Sequence, residues 1–212
     1  MTTEKMNVHQ ALAELKMLDK RISAEIQAGK WVVENKHSNT KIGGITVAEF
    51  SKNTEARYQK VTDLIDRAEA IKRAVVNSNA VTEVVIGDKT YTVAEAIDMK
   101  NKVIPRLVEL RNKLSADYGN AKMSADYNNN LLESKADRHV ESMYGKSDMK
   151  GLSEDAKNAR ENFIKAQTYE LIDPINVLDE IEALTDRIDR FIVNVDAVLS
   201  TSNALTEITV SY

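Results

Sequence analysis

Ile42-Gly43-Gly44-Ile45-Thr46-Val47-Ala48-Glu49 and Ile86-Gly87-Asp88-Lys89-Thr90-Tyr91-Thr92-Val93-Ala94-Glu95 decide how this chain reads. Both begin with Ile-Gly and both end in Thr-Val-Ala-Glu. A Thr with a Glu three residues later is a capping box: the Thr hydroxyl accepts the N–H at Glu, and the Glu carboxylate reaches back to the Thr N–H. Each copy therefore predicts a place where a short β-like segment turns into a helix. Neither Glu49 nor Glu95 has a second catalytic group beside it in the sequence.

The helices that the boxes launch are amphipathic. After Thr46, residues Phe50, Tyr58, Val61, Leu64, Ile65, Ala68, Ile71 and Val75 recur at helical spacing, and the helix is expected to run to about Val76. After Thr92, a helix carries Val93, Ile97, Val103, Ile104, Leu107, Val108, Leu110 and Leu114, with Pro105 inside it, so a kink is expected there. Upstream, Asn7 caps a helix bearing Val8, Ala11, Leu12, Leu15, Leu18, Ile22 and Ile26, with Gly29 as its stop. Trp31-Val32-Val33 is a β-prone run, and residues 37–44 read as a loop or hairpin tip. Val84-Val85-Ile86, Gly-Asp and Lys-Thr-Tyr-Thr read as a hairpin.

A second echo joins distant parts of the chain. Ser78-Asn79-Ala80-Val81-Thr82-Glu83-Val84-Val85-Ile86 is repeated as Ser202-Asn203-Ala204-Leu205-Thr206-Glu207-Ile208-Thr209-Val210. Each copy predicts a helix ending at Ser-Asn and passing into a strand, as in two related halves. The economical pairing sets the C-terminal strand against the hairpin at 81–92. Ser153 caps a helix from Glu154 to about Tyr169. Asp173-Pro174 opens a last helix with the proline near its first turn, and Val177, Ile181, Leu184, Ile188, Phe191, Ile192, Val195, Val198 and Leu199 come close to a heptad. Between 118 and 151 the chain is polar, with Asn128-Asn129-Asn130 at its centre. It reads as a polar loop or arm with a short helix near 131–140. The fold class is mainly α: one domain over 1–212, a long-helix antiparallel bundle with a small β-hairpin or sheet at one end.

Composition narrows the function. The 212 residues carry a net charge of −4, which gives no general attraction to phosphate backbones, so no nucleic acid is expected. There is no Cys, so disulfides and thiolate chemistry are excluded. His9, His37 and His139 lie far apart, outside any metal-ligand spacing, and Gly43-Gly44 is followed by Ile-Thr where a phosphate loop needs Lys-Ser or Lys-Thr. No catalytic, cofactor or metal site is expected. The N-terminal MTTEKMNVHQALAELKMLDKR has no apolar stretch of the signal-peptide kind, and no apolar run reaches the ~20 residues of a membrane span. A cytoplasmic protein, or part of a particle assembled there, is expected. Trp31 reads first as core and second as an anchor for a partner. With Tyr118, Tyr127, Met143 and Tyr144 it makes up the candidate interaction residues.

Asn79, Ala80 and Thr82, the Gly87-Asp88 turn, Thr92, and Asn203, Thr206, Glu207 and Ile208 together resemble the septicolysin-like family of small bacterial and phage-encoded helical proteins. Ile172-Asp173-Pro174-Ile175-Asn176-Val177 is similar to that family's lead into its last helix. Ala204 stands where the family usually has Trp, and 31–44 and 118–151 diverge. The resemblance implies a helical fold without established catalytic residues. Its name implies a membrane-active cytolysin, for which this chain shows no membrane-inserting apolar hairpin. The first expectation is a non-enzymatic protein acting through helical surfaces, as a homo-oligomer or with other assembly proteins; a cytolysin-like protein is the alternative.

Overall fold

The computed structural model describes residues 2–145, 151 and 153–212. The fold is mainly α with minor β. The chain forms two compact units, Met1–Lys102 with Arg190–Tyr212, and Val103–Asp189. We call them the terminal unit and the middle unit.

In the terminal unit, β1 (Thr3–Asn7) leads into α1 (Val8–Ala28). A two-residue hairpin, β2 (Lys41–Ile42) and β3 (Ile45–Thr46), then leads into α2 (Val47–Val81). Gly43 and Gly44 have φ of 56° and 92°, the left-handed backbone that a tight hairpin turn requires. β4 (Glu83–Ile86) and β5 (Lys89–Thr92) follow, turning at Gly87 with φ 65°. Next comes α3 (Val93–Asp98).

Both Thr-Val-Ala-Glu boxes are formed. The Glu49 N–H donates to Thr46 Oγ1 at 3.2 Å and the Thr46 N–H to Glu49 Oε2 at 2.9 Å; the Thr92–Glu95 pair repeats this at 3.2 and 2.7 Å. The donated backbone N–H and the Thr hydroxyl hold both Glu carboxyls below their usual value. A lowered folded-state value gives stability that is present above the unfolded value near 4.5 and is lost as pH falls through the folded value. Thr46→Ala and Thr92→Ala should each cost about 1 kcal/mol in urea unfolding. Glu95→Gln should flatten the stability profile on the acid side of pH 4.5.

The terminal unit's core gathers Met6, Val8, Ala11, Leu18, Ile71, Val75, Ile208 and Val210, from α1, α2, β1 and β6 (Glu207–Ser211). Here the expected pairing is corrected. β6 pairs antiparallel with β1, not with the β4–β5 hairpin: Thr3 faces Ser211 and Asn7 faces Glu207. Thr3–Asn7 is polar except for Met6, so it carries no strand pattern of its own, and its extended form comes from its partner. Arg67 on α2 ties the layer together. Its Nη2 donates to Glu4 Oε2 at 2.9 Å, its Nε donates to Glu14, and its guanidinium lies 4.6 Å from the centre of the Tyr212 ring.

Two further expectations change. α2 continues past Val76 to Val81, with the Thr82 N–H closing on the Ser78 carbonyl at 2.9 Å. Trp31-Val32-Val33 is not a strand. Pro105 is absorbed in a wider turn: Met99–Val103 is π-helical, and α4 (Ile104–Asn130) starts with the proline in its first turn. The wider i→i+5 turn moves the preceding carbonyls away from a ring that has no N–H to offer them.

In the middle unit, the expected polar loop or arm at 118–151 is helical for most of its length. α4 runs to Asn130 and α5 spans Leu132–Tyr144, while residues 146–150 lie outside the described residues. Apart from Gly119 this stretch has no helix breaker before Gly145, and a helix can stay polar where it is exposed. α6 (Glu154–Gln167) starts at Ser153, whose hydroxyl accepts the Ala156 N–H. α5 and α6 close over Leu132, Ala136, Val140 and Ala156. Arg160 on α6 bridges to Asp137 at 2.7 Å and to Glu133 on α5. α7 (Val177–Leu205) begins three residues after Pro174, not around it. The Asp173 carboxylate accepts the Val177 N–H, and Asn176 makes the turn at φ 55°. Among the described residues no helix is long and apolar enough to cross a membrane.

Candidate interaction surface

Burial divides the candidate residues. Trp31 is half-buried and belongs to the terminal unit. Its ring folds back on the end of α1, with Nε1 donating to the Ile26 carbonyl at 3.2 Å. A Cβ at Gly29 would meet that ring at 2.4 Å, so glycine there makes room for the tryptophan. Trp31 closes a helix end. The other four lie in the middle unit. Tyr118 is half-buried on α4, while Tyr127, Met143 and Tyr144 are exposed.

Sequence reasoning missed a second set. Residues 168–176 form a non-helical strap after α6. Asn129, near the end of α4, clamps this strap with two bonds: its Nδ2 donates to the Tyr169 carbonyl, and the Tyr169 N–H donates to its Oδ1, both at 2.9 Å. From there Tyr169, Leu171, Ile172 and Ile175 face solvent, Ile172 at 89% exposure. Met123 and Tyr127, one helical turn apart on α4, are exposed as well. The Leu171-Ile172 pair beside Asp173-Pro174 is the signal the sequence offers for it, and the same residues read equally as the approach to a helix.

The imbalance extends through the chain. Among the described residues, exposed large apolar and aromatic side chains outnumber buried apolar ones, and no polar or charged side chain is buried.

Among the described residues, the charged groups nearest to forming a cluster line one groove. An open groove of about 940 Å³ runs along α2 beside Ser211 and Tyr212. Its lining mixes Lys60, Arg67 and Arg73 with Asp63, Asp66 and Glu69. Lys60 is bound to Glu25, and Arg67 to Glu4 and Glu14, so neither offers a free charge to a ligand. His139 stacks on Phe163, with ring centres 4.6 Å apart, and serves as part of the α5–α6 packing. Among the described residues no group of three His, Cys, Asp or Glu could hold a metal ion. Compared with protein-family models, curated proteins and solved structures, the chain matches none.

Proposed function

We propose that this is a non-enzymatic interaction protein that assembles with copies of itself, alone or within a larger particle built in the cytoplasm. The observation that carries the reading is the surface: among the described residues, large apolar and aromatic side chains on the exterior outnumber the apolar ones in the core. Large apolar side chains exposed together along one segment, as Tyr169, Leu171, Ile172 and Ile175 are on the strap, are a usual mark of surfaces that meet other proteins. The resemblance to a bacterial and phage-encoded helical family fits a particle component.

Light scattering on the purified chain tests this. The expected mass is at least twice that of one chain at micromolar concentration. Ile172→Asp should lower it, because a charge placed on the strap opposes burial there. At 89% exposure that change should move stability by no more than about 0.5 kcal/mol. A single-chain mass at every concentration, for both proteins, overturns the reading.

A further inference from the structure

The two strand joints of the terminal unit are built alike. α2 ends where the Thr82 N–H meets the Ser78 carbonyl at 2.9 Å; α7 ends where the Thr206 N–H meets the Ser202 carbonyl at 2.9 Å. The carbonyls of these threonines then accept the first N–H of another helix: Val93 to Thr82 at 2.9 Å, and Val8 to Thr206 at 3.0 Å. In each joint the Glu after the threonine faces the N-cap of that second helix, Glu83 opposite Thr92 and Glu207 opposite Asn7. Both N-caps are capping boxes. Burial repeats too. Val84 and Ile86 match Ile208 and Val210; Val93 and Ala96 match Val8 and Ala11. Ile71 and Val195, at the same distance before Thr82 and Thr206, are both fully buried.

The terminal unit thus holds two equivalent joints, α2–β4 against β5–α3 and α7–β6 against β1–α1. They differ in one respect. β4 and β5 are tied by the two-residue turn Gly87-Asp88, whereas β6 and β1 come from remote parts of the chain. Pairing of β6 with β1 therefore has no short covalent tie; it rests on register, burial and the Tyr212 contact with Arg67, all of which β6 of a second copy can supply. Thr206 is the single residue between α7 and β6, so it is the point at which β6 would part from its own helix in an exchange.

We propose that the β1–β6 joint is one place where two copies link, beside the contact made by the apolar surface of the strap: β6 of each copy pairs with β1 of the other, in a closed two-fold dimer that leaves no strand edge newly open. Reciprocal exchange keeps every pair from Thr3–Ser211 to Asn7–Glu207 and the burial of Met6, Ile208 and Val210. The proposal rests on the reading that the chain assembles with copies of itself.

The absence of cysteine makes the test clean. Thr3 and Ser211 face each other across the joint, both exposed, with hydroxyls 3.5 Å apart. Directly opposed Cα atoms in an antiparallel pair lie about 4.5–5.5 Å apart, within the span of a disulfide. Thr3→Cys and Ser211→Cys chains, co-expressed with distinct tags and then oxidised at low concentration, should give a covalent dimer carrying both tags. Its yield should be at least tenfold that of Thr3→Cys with Glu207→Cys, whose positions are out of register. The double variant in one chain reports that the joint is intact. If it closes only within its own chain, and the mixed pair gives no more dimer than the mismatched control, strand exchange is overturned. An oligomeric mass by light scattering in that case leaves the assembly reading standing; a single-chain mass removes both.

Discussion

Ile71→Ala should destabilise the terminal unit by about 3–4 kcal/mol in urea unfolding, the upper part of the range for a fully buried isoleucine cut to alanine. Ile71 has no exposed surface and stands in the cluster where α1, α2 and the β1–β6 layer meet, with Val8, Val75 and Val210. A cavity there is walled by elements from three parts of the chain. None can close the gap without disturbing the strand register or the helix pair, so little of the lost packing is recovered. Ile71→Val removes one methylene and should cost about 1 kcal/mol. If Ile71→Ala costs less than 1 kcal/mol, the β1–β6 layer does not cover α2 as described.

Ala136→Leu should produce the second large effect, in the middle unit. Ala136 is fully buried and Ala156 nearly so, at the place where α5 and α6 close on each other. Small residues let the two backbones approach. Three added carbons have no space to enter, and forcing them in should cost about 2–3 kcal/mol. Hydrogen exchange should show the loss in Leu132–Tyr144 and Glu154–Gln167. Ala116→Leu, on an exposed stretch of α4, should be close to neutral and controls for the chemistry of the substitution. Equal costs at the two positions would mean that α5 and α6 do not pack through Ala136.

What was legible in the sequence is what local chemistry determines. The caps at Asn7, Thr46, Thr92 and Ser153 all form, because a side chain and a backbone N–H three residues away need no distant partner. The turns at Gly43-Gly44 and Gly87 follow from backbone that only glycine adopts readily. β1 was invisible for the converse reason: Thr-Glu-Lys-Met-Asn becomes a strand only when β6 lies beside it. The echo between 78–86 and 202–210 was readable as sequence, but which strand each copy pairs with is a non-local question. The polar stretch 118–151 reads as a loop or arm with a short helix near 131–140 because it carries no strong apolar stripe. α4 keeps its helix with a weak stripe, since its propensity is adequate and much of it needs no partner face. The interaction residues divided similarly. Tyr127, Met143 and Tyr144 are exposed, whereas Trp31 is engaged with its own helix end, and the strap at 168–176 was masked by its resemblance to a helix start.

The central claim is that the apolar exterior is covered when the protein is at work. Oxidative footprinting by mass spectrometry, across a concentration series, reads that coverage residue by residue at Met17, Tyr58, Met123, Tyr127, Met143 and Tyr144, all exposed in the single chain. The account predicts that Met123 and Tyr127, with the strap residue Tyr169, lose several-fold in labelling rate as the mass rises. Labelling that stays uniform and fast at all of them, at concentrations where the protein is abundant, would contradict it.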